Sequence, residues 1–148
     1  MNKGGLIEKD NSTVNEYTRT LRHELIFLTY APILFLSALT KQRLHKVPEM
    51  IKSVYEQSTL RIPTGTLNQV IQDALAVTPP PSFKGKKVKI YYGTQVAVRP
   101  PTIIFFVNNP ELLHFSYLRY LENVLRETFG FVGTPLRLSS RCRGEKDE

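Results

Sequence analysis

RPPTIIFFVNNP, residues 99–110, is the stretch on which the fold turns. Thr102–Val107 is a nearly continuous apolar run, set between Pro100-Pro101 and Asn108-Asn109-Pro110. A short run without polar alternation reads as a strand buried on both faces, which places it at the centre of a sheet. Immediately upstream, Val88, Ile90 and Tyr92 alternate with Lys89 and Tyr91, the pattern of a half-buried strand, and Gly93 marks a bulge. Further back, Thr64 is placed to cap a helix that carries Leu67, Val70, Ile71, Ala74 and Leu75 on one stripe. Pro79-Pro80-Pro81 stops that helix, because proline lacks an amide proton and restricts the residue before it.

Downstream, a helix from about Ser116 to Phe129 buries Leu118, Leu121, Leu125 and Phe129, with Gly130 as its C′ residue. Thr134–Ser139 alternates as a last strand, and the polar tail at 141–148 is expected to be disordered. Residues 61–140 therefore read helix, strand, strand, helix, strand. This is an α+β, two-layer domain with a three-stranded sheet and helices on one face.

The first 60 residues have a different character. Thr13 and Glu16 stand at capping-box spacing, and Val14, Tyr17, Leu21, Leu25 and Leu28 follow at helical intervals until Pro32. Ile33–Leu36 reads as a strand buried on both faces, and a second helix runs from about Leu44 to Leu60 with Val47, Ile51, Val54 and Tyr55 on one side. Helix, buried strand, helix is the edge of a doubly wound α/β domain whose other strands are not supplied. Residues 1–60 should therefore expose apolar area and either self-associate or stay partly disordered.

Composition narrows the function. The formal charge is +7, and the excess lies in the second half: residues 1–60 hold eight Lys/Arg against six Asp/Glu, and no acidic residue occurs between Asp73 and Glu111. That balance favours polyanionic partners. Cys142 is the only cysteine, which excludes a disulfide framework and a Cys-rich zinc site. Thr29, Pro32 and Ser37 interrupt the longest apolar run before it reaches membrane-spanning length, so no membrane role and a cytoplasmic location are expected. His23, His45 and His114 lie in no nucleophilic constellation, the carboxylates Glu8, Asp10, Glu16 and Glu24 share no metal-clamp spacing, and GxxxxGK[ST] is absent. No catalytic or metal site is assigned, nor a cofactor for this chain.

Lys84, Lys86, Lys87 and Lys89 crowd beside Phe83, Tyr91 and Tyr92, and Arg99 continues the same acid-free stretch. Lysines suit phosphate contact without sequence readout, and exposed aromatics can stack on bases. The same composition also fits a solvated loop beside ordinary sheet aromatics. Arg119 and Arg126, seven apart on the last helix, share a face that either extends the basic surface or solvates the helix. Gly130-Phe131-Val132-Gly133 has the GxxG spacing of an RNA-clamping loop, but it joins a helix to a strand, where a C-cap and tight turn account for both glycines.

Taken in order, NKGGLIEKDNST (2–13), LRHELIFLTYAPILFLSALT (21–40), RIPTGTLNQVIQDAL (61–75), PPP (79–81), KGKKVKIYYGTQV (84–96) and RPPTIIFFVNNPELLHFSYLRYLENVLRETFGFVGTPLRL (99–138) resemble the C-terminal part of the Der (EngA) family of bacterial ribosome-assembly GTPases. That family has two GTPase domains followed by a KH-like domain. The resemblance implies that 1–60 is the end of the second GTPase domain and 61–140 the KH-like domain. It also implies a vestigial guanine site at Asn2, Lys3, Ser37, Ala38 and Leu39, in which Gly5 stands where the family's Asp contacts the base. GTP and magnesium belong, by the same resemblance, to the GTPase domains of the full-length protein. The implied partners are the large ribosomal subunit or its RNA and the GTPase domains in cis. The alternative is a protein-interaction domain that positions those domains without touching RNA.

Overall fold

The computed structural model of the chain describes residues 11–144, which fall into two compact units, one ending at Glu56 and the other beginning at Gln57. In the first unit, α1 spans Asn11–Glu24 and a 3₁₀ turn follows at Ile26–Leu28. The Arg22 guanidinium holds that turn by donating to the carbonyls of Leu28 (3.0 Å) and Thr29 (3.1 Å). The helix is already under way at Asn11, so Thr13 lies inside it rather than at its cap.

The strand expected at Ile33–Leu36 is not formed. Among the described residues this segment belongs to no strand. A buried strand needs donors and acceptors on both flanks, and apolar composition alone does not supply them. α2, Lys46–Ser58, buries none of its residues, and Ile51 and Tyr55 are exposed along with Ile26, Phe27 and Leu39.

The core belongs to the second unit, and every residue in it lies at Ile62 or beyond. The elements are α3 (Thr64–Val77), β1 (Ile90–Ala97), β2 (Thr102–Val107), α4 (Phe115–Phe129) and β3 (Arg137–Cys142). β2 is central, antiparallel to β1 and parallel to β3, so α4 is the crossover between two parallel strands. Ile103, Phe105 and Val107 point from β2 into the core beneath Leu67 and Ile71 of α3 and Leu121 and Leu125 of α4. The expected α+β arrangement is the one observed.

Three local readings need correction. Thr64 is the first residue of α3 and makes no cap; Pro63 precedes the helix, and its carbonyl accepts from Leu67 N–H. α4 begins at Phe115, capped by His114 Nδ1, which accepts from Ser116 N–H at 3.2 Å, and Tyr117 takes the inward position ahead of Leu118. β3 runs to Cys142, so Arg141 and Cys142 are ladder residues and not tail. Parallel pairing of Phe106 with Arg141 and Val107 with Cys142 overrides their polar composition.

Gly93 marks no bulge, being paired in regular register with Phe105, and is required instead because α3 meets the sheet there. A Cβ there would come within 2.6 Å of Ile71 Cδ1 and 3.3 Å of Phe105 Cδ1, both core side chains. The close approach lets Asn68 bond both ways, accepting from Gly93 N–H (2.8 Å) and donating to Gly93 C=O (3.0 Å). At the other end of α3, Tyr117 and Tyr120 donate their hydroxyls to the carbonyls of Thr78 (2.6 Å) and Ala74 (2.8 Å). The Thr78 carbonyl is one that the helix end leaves without an internal partner, while that of Ala74 also accepts from Thr78 N–H at 3.0 Å.

Burial, and then the neighbouring Tyr120, push the Tyr117 phenol up to about 12 from its ordinary value of 10.0. An unfolded chain releases this proton first, so the folded form binds more protons between those two pH values. Stability should be intact below pH 10 and decline as pH rises toward 12. Ultraviolet titration is expected to show one tyrosine ionising late, and a Tyr117→Phe chain is expected to lack that step. Loss of the Thr78 bond should cost the variant about 1 kcal/mol in urea denaturation at neutral pH.

Arg126 closes the loop after α4. Its guanidinium pairs with Glu122 (3.1 Å) and donates to Phe131 C=O (2.9 Å) and Thr134 C=O (3.0 Å), with its side chain only 18% exposed. Arg126→Ala should destabilise the chain by about 2 kcal/mol, since two carbonyls lose a charged donor. Arg119→Ala on the exposed side of α4 should change stability by less than about 0.5 kcal/mol. Equal denaturation midpoints for the two variants would rule out this role for Arg126.

A candidate nucleic-acid interface

The lysine stretch folds as a tight hairpin. Phe83 and Lys86 exchange both backbone bonds at 2.9 Å, and the two residues between them have positive φ, 49° at Lys84 and 74° at Gly85. A two-residue turn with both central residues in this region matches the twist of its flanking arms. The hairpin holds Lys84, Lys86 and Lys87 exposed, with Lys84 Nζ 5.4 Å from the Phe83 ring centroid.

Asn108, just past the end of β2, anchors the next residues. Its side chain accepts from Lys89 N–H (2.9 Å) and donates to Lys87 C=O (2.9 Å), while its own N–H donates to Lys89 C=O (3.0 Å). The backbone of 87–89 is thereby tied to the sheet although it lies outside β1. Lysine head groups stay exposed on a fixed backbone, which lowers the entropy lost when they meet a ligand.

The structure separates the remaining candidates. Arg99 is exposed at the β1–β2 turn, its N–H donating to Ser58 C=O at 2.9 Å. It stands at the opposite end of β1 from Lys89, about 25 Å away at strand rise. Arg119 is exposed on α4, beside a 300 Å³ depression lined by Phe115, Leu118, Glu122, Leu136 and Leu138. Arg126 is turned inward as described, so of the two roles weighed for its face, basic surface or helix solvation, it takes neither: its guanidinium is bonded to Glu122 and the loop carbonyls. The GxxG segment is likewise structural. Gly130 (φ 96°) and Gly133 (φ 80°) make the turn, and Phe131 between them is fully buried.

The sequence reading missed the arginines of β3. Arg141 is paired in the ladder with Phe106, which is paired in turn with Tyr92, and Arg137 is paired with Thr102. The Arg143 guanidinium lies 4.9 Å from the centroid of the Tyr91 ring. The lysine segment leading into β1 and the arginine end of β3 thus occupy the same end of the sheet, brought there by Val107, which pairs with Ile90 on one side and Cys142 on the other. The alternation Arg137, Ser139, Arg141 was the available signal, concealed by reading the tail as disordered.

Of the guanine-site candidates, Asn2 and Lys3 lie outside the described residues. Ser37 is buried, its N–H donating to Gln42 C=O at 3.2 Å, while Ala38 and Leu39 follow it in an exposed turn. Among the described residues no group of His, Cys, Asp and Glu could hold a metal ion, and no helix is long and apolar enough to cross a membrane.

Residues 61–141 match the sequence profile of the KH-domain-like, C-terminal region of EngA bacterial GTPase enzymes. Over nearly its whole length the chain is also similar to proteins named GTPase Der. It is 53% identical over 145 residues to that of Caldanaerobacter subterraneus subsp. tengcongensis and 57% identical over 143 residues to that of Streptococcus agalactiae serotype Ia. The Streptococcus pneumoniae protein is 54% identical over 143 residues. These alignments take in 97–98% of this chain and 33% of each relative, so the chain spans about a third of their length. The matched region is the KH-domain-like part of those enzymes, and this sequence holds no GxxxxGK[ST] motif. It belongs to the EngA (Der) family of bacterial GTPases, whose C-terminal KH-like domain it carries.

Proposed function

We propose that this chain is the RNA-docking part of a GTPase that acts in ribosome biogenesis, working on the large subunit in the cytoplasm and leaving GTP and magnesium to the family's GTPase domains. One observation carries the reading: the Lys84-Gly85 hairpin and the Asn108 anchor hold Lys84, Lys86, Lys87 and Lys89 exposed on a fixed backbone in a stretch with no acidic residue. Such a cluster neutralises phosphates and releases counterions, giving affinity that depends on salt rather than on sequence.

A second reading has its own support. The depression beside Arg119 is lined mostly by apolar side chains, with Phe115 70% exposed, and suits packing against a protein surface such as a neighbouring GTPase domain. The two readings use different faces of the domain and are separable.

The deciding experiment is binding of the chain to large-subunit particles and to free ribosomal RNA across a salt series. Affinity should fall steeply with salt. Reversing charge at Lys84, Lys86 and Lys87 should weaken binding to all RNA sequences alike and flatten the log–log salt slope by about 2–3 units. Unchanged binding by the reversed chain would remove the hairpin from the interface. Absence of binding at low salt would leave domain positioning as the function.

A further inference from the structure

The sheet has a second face, and its composition differs from the lysine hairpin's. Ile103, Phe105 and Val107 of β2 face the helices, whereas the alternate positions, buried Ile104 and half-buried Phe106, lie outside that cluster. In register with them stand Tyr92 and Thr94 from β1 and Ser139 and Arg141 from β3, while Arg137 pairs with Thr102. Tyr92, Phe106 and Arg141 form one row across all three strands. Tyr92 is stacked on Phe106, with ring centroids 4.6 Å apart and planes inclined by 22°, yet it is still 41% exposed.

The bulge between Ile90 and Tyr92 adds Tyr91 to the same end. Strict alternation would send Tyr91 to the opposite side from Tyr92, but both are exposed and neither joins the core. A bulge re-aims a side chain in this way. Arg143 sits over the Tyr91 ring, while β1, β2 and β3 contain no Asp or Glu. Aromatic rings beside arginines, with no carboxylate among them, suit a polyanion that also offers flat apolar faces. Unpaired RNA has that chemistry, because its bases are free to stack while its phosphates meet guanidinium groups. A duplex hides those base faces. Three strands are only about 10 Å across, room for very few nucleotides.

We infer that the face carrying the row Tyr92–Phe106–Arg141 binds single-stranded RNA by base stacking. The inference rests on the RNA-docking reading and deepens it: the hairpin lysines supply contact with any phosphate backbone, and the sheet face adds preference for unpaired bases.

The test uses the 148-residue chain with two fluorescent probes, a short oligouridylate and an RNA duplex of the same length, followed by anisotropy. The single strand should bind more tightly. Tyr92→Ala should weaken single-strand binding about tenfold while leaving duplex binding unchanged, and Tyr92→Phe should retain both. Ser139→Glu, which leaves the rings in place and sets a carboxylate in the next row from Arg141, should also lower single-strand affinity. This second variant keeps the test decisive if Tyr92→Ala melts early.

Equal binding of both probes, unaffected by Tyr92→Ala and Ser139→Glu, would overturn the inference while leaving phosphate docking by the hairpin standing. Equal loss of both probes on Tyr92→Ala would reduce the ring to a fold-supporting role and overturn it too. No binding of either probe at low salt would overturn both the inference and the docking reading beneath it. If RNA binding survived these changes and association with a GTPase-domain protein did not, the face would belong to a protein partner.

Discussion

Two-sided pairing of β2 is the constraint on which this domain depends. Its inward side chains, Ile103, Phe105 and Val107, are fully buried, and both of its edges are hydrogen-bonded, to β1 and to β3. Fully burying side chains of this size is worth about 1.5–3 kcal/mol each, and the ladders satisfy the backbone polar groups that are buried with them. Everything that flanks β2 is then fixed relative to it. α3 approaches so closely that only glycine fits at position 93, and Asn68 takes both polar groups of that residue. Gln95, nearly buried, accepts from Ile62 N–H at 2.7 Å and donates to Leu60 C=O at 2.8 Å, which ties the chain's entry into the domain to β1.

This dependence explains which parts of the architecture were legible from the residues alone. TIIFFV has one physical solution, burial on both faces, and the amphipathic stripes around it have nowhere else to pack. The same argument failed at Ile33–Leu36, whose composition is just as apolar. Hydrophobicity states what a segment needs and not whether the chain provides it; among the described residues this segment forms no strand. The opposite error occurred at Arg141 and Cys142. Their polar composition suggests a tail, but β2 presents free ladder positions at Phe106 and Val107, and pairing decides.

The candidate site was legible as a cluster and illegible as a geometry. Lysine crowding in an acid-free stretch is visible in the sequence. The partners that fix its backbone come from Asn108, about twenty residues away and read only as a loop residue. Arg126 shows the reverse case. By helical spacing it belongs with Arg119, yet two carbonyls beyond the helix end need a donor, and the nearer arginine is drawn inward to them. Charge counting cannot separate an arginine that solvates a surface from one that closes a loop. Only the position of the unsatisfied carbonyls does so, and that is a property of the turn.

The same turn is closed to the backbone clamp that its GxxG spacing suggests. A clamp needs a loop whose backbone donors face solvent and whose side chains leave room for phosphates. Here Phe131, inside Gly130–Gly133, is buried, the carbonyls of Phe131 and Thr134 are taken by Arg126, and Val132 N–H donates to Gln57 Oε1 at 3.3 Å. That segment has become part of the fold. Exposed basic side chains stand elsewhere, at the lysine hairpin and along β3, where the sheet also exposes Tyr91 and Tyr92. Under the RNA-docking proposal, recognition falls instead to the exposed side chains of the hairpin and the sheet end, because the turn after α4 is consumed by packing.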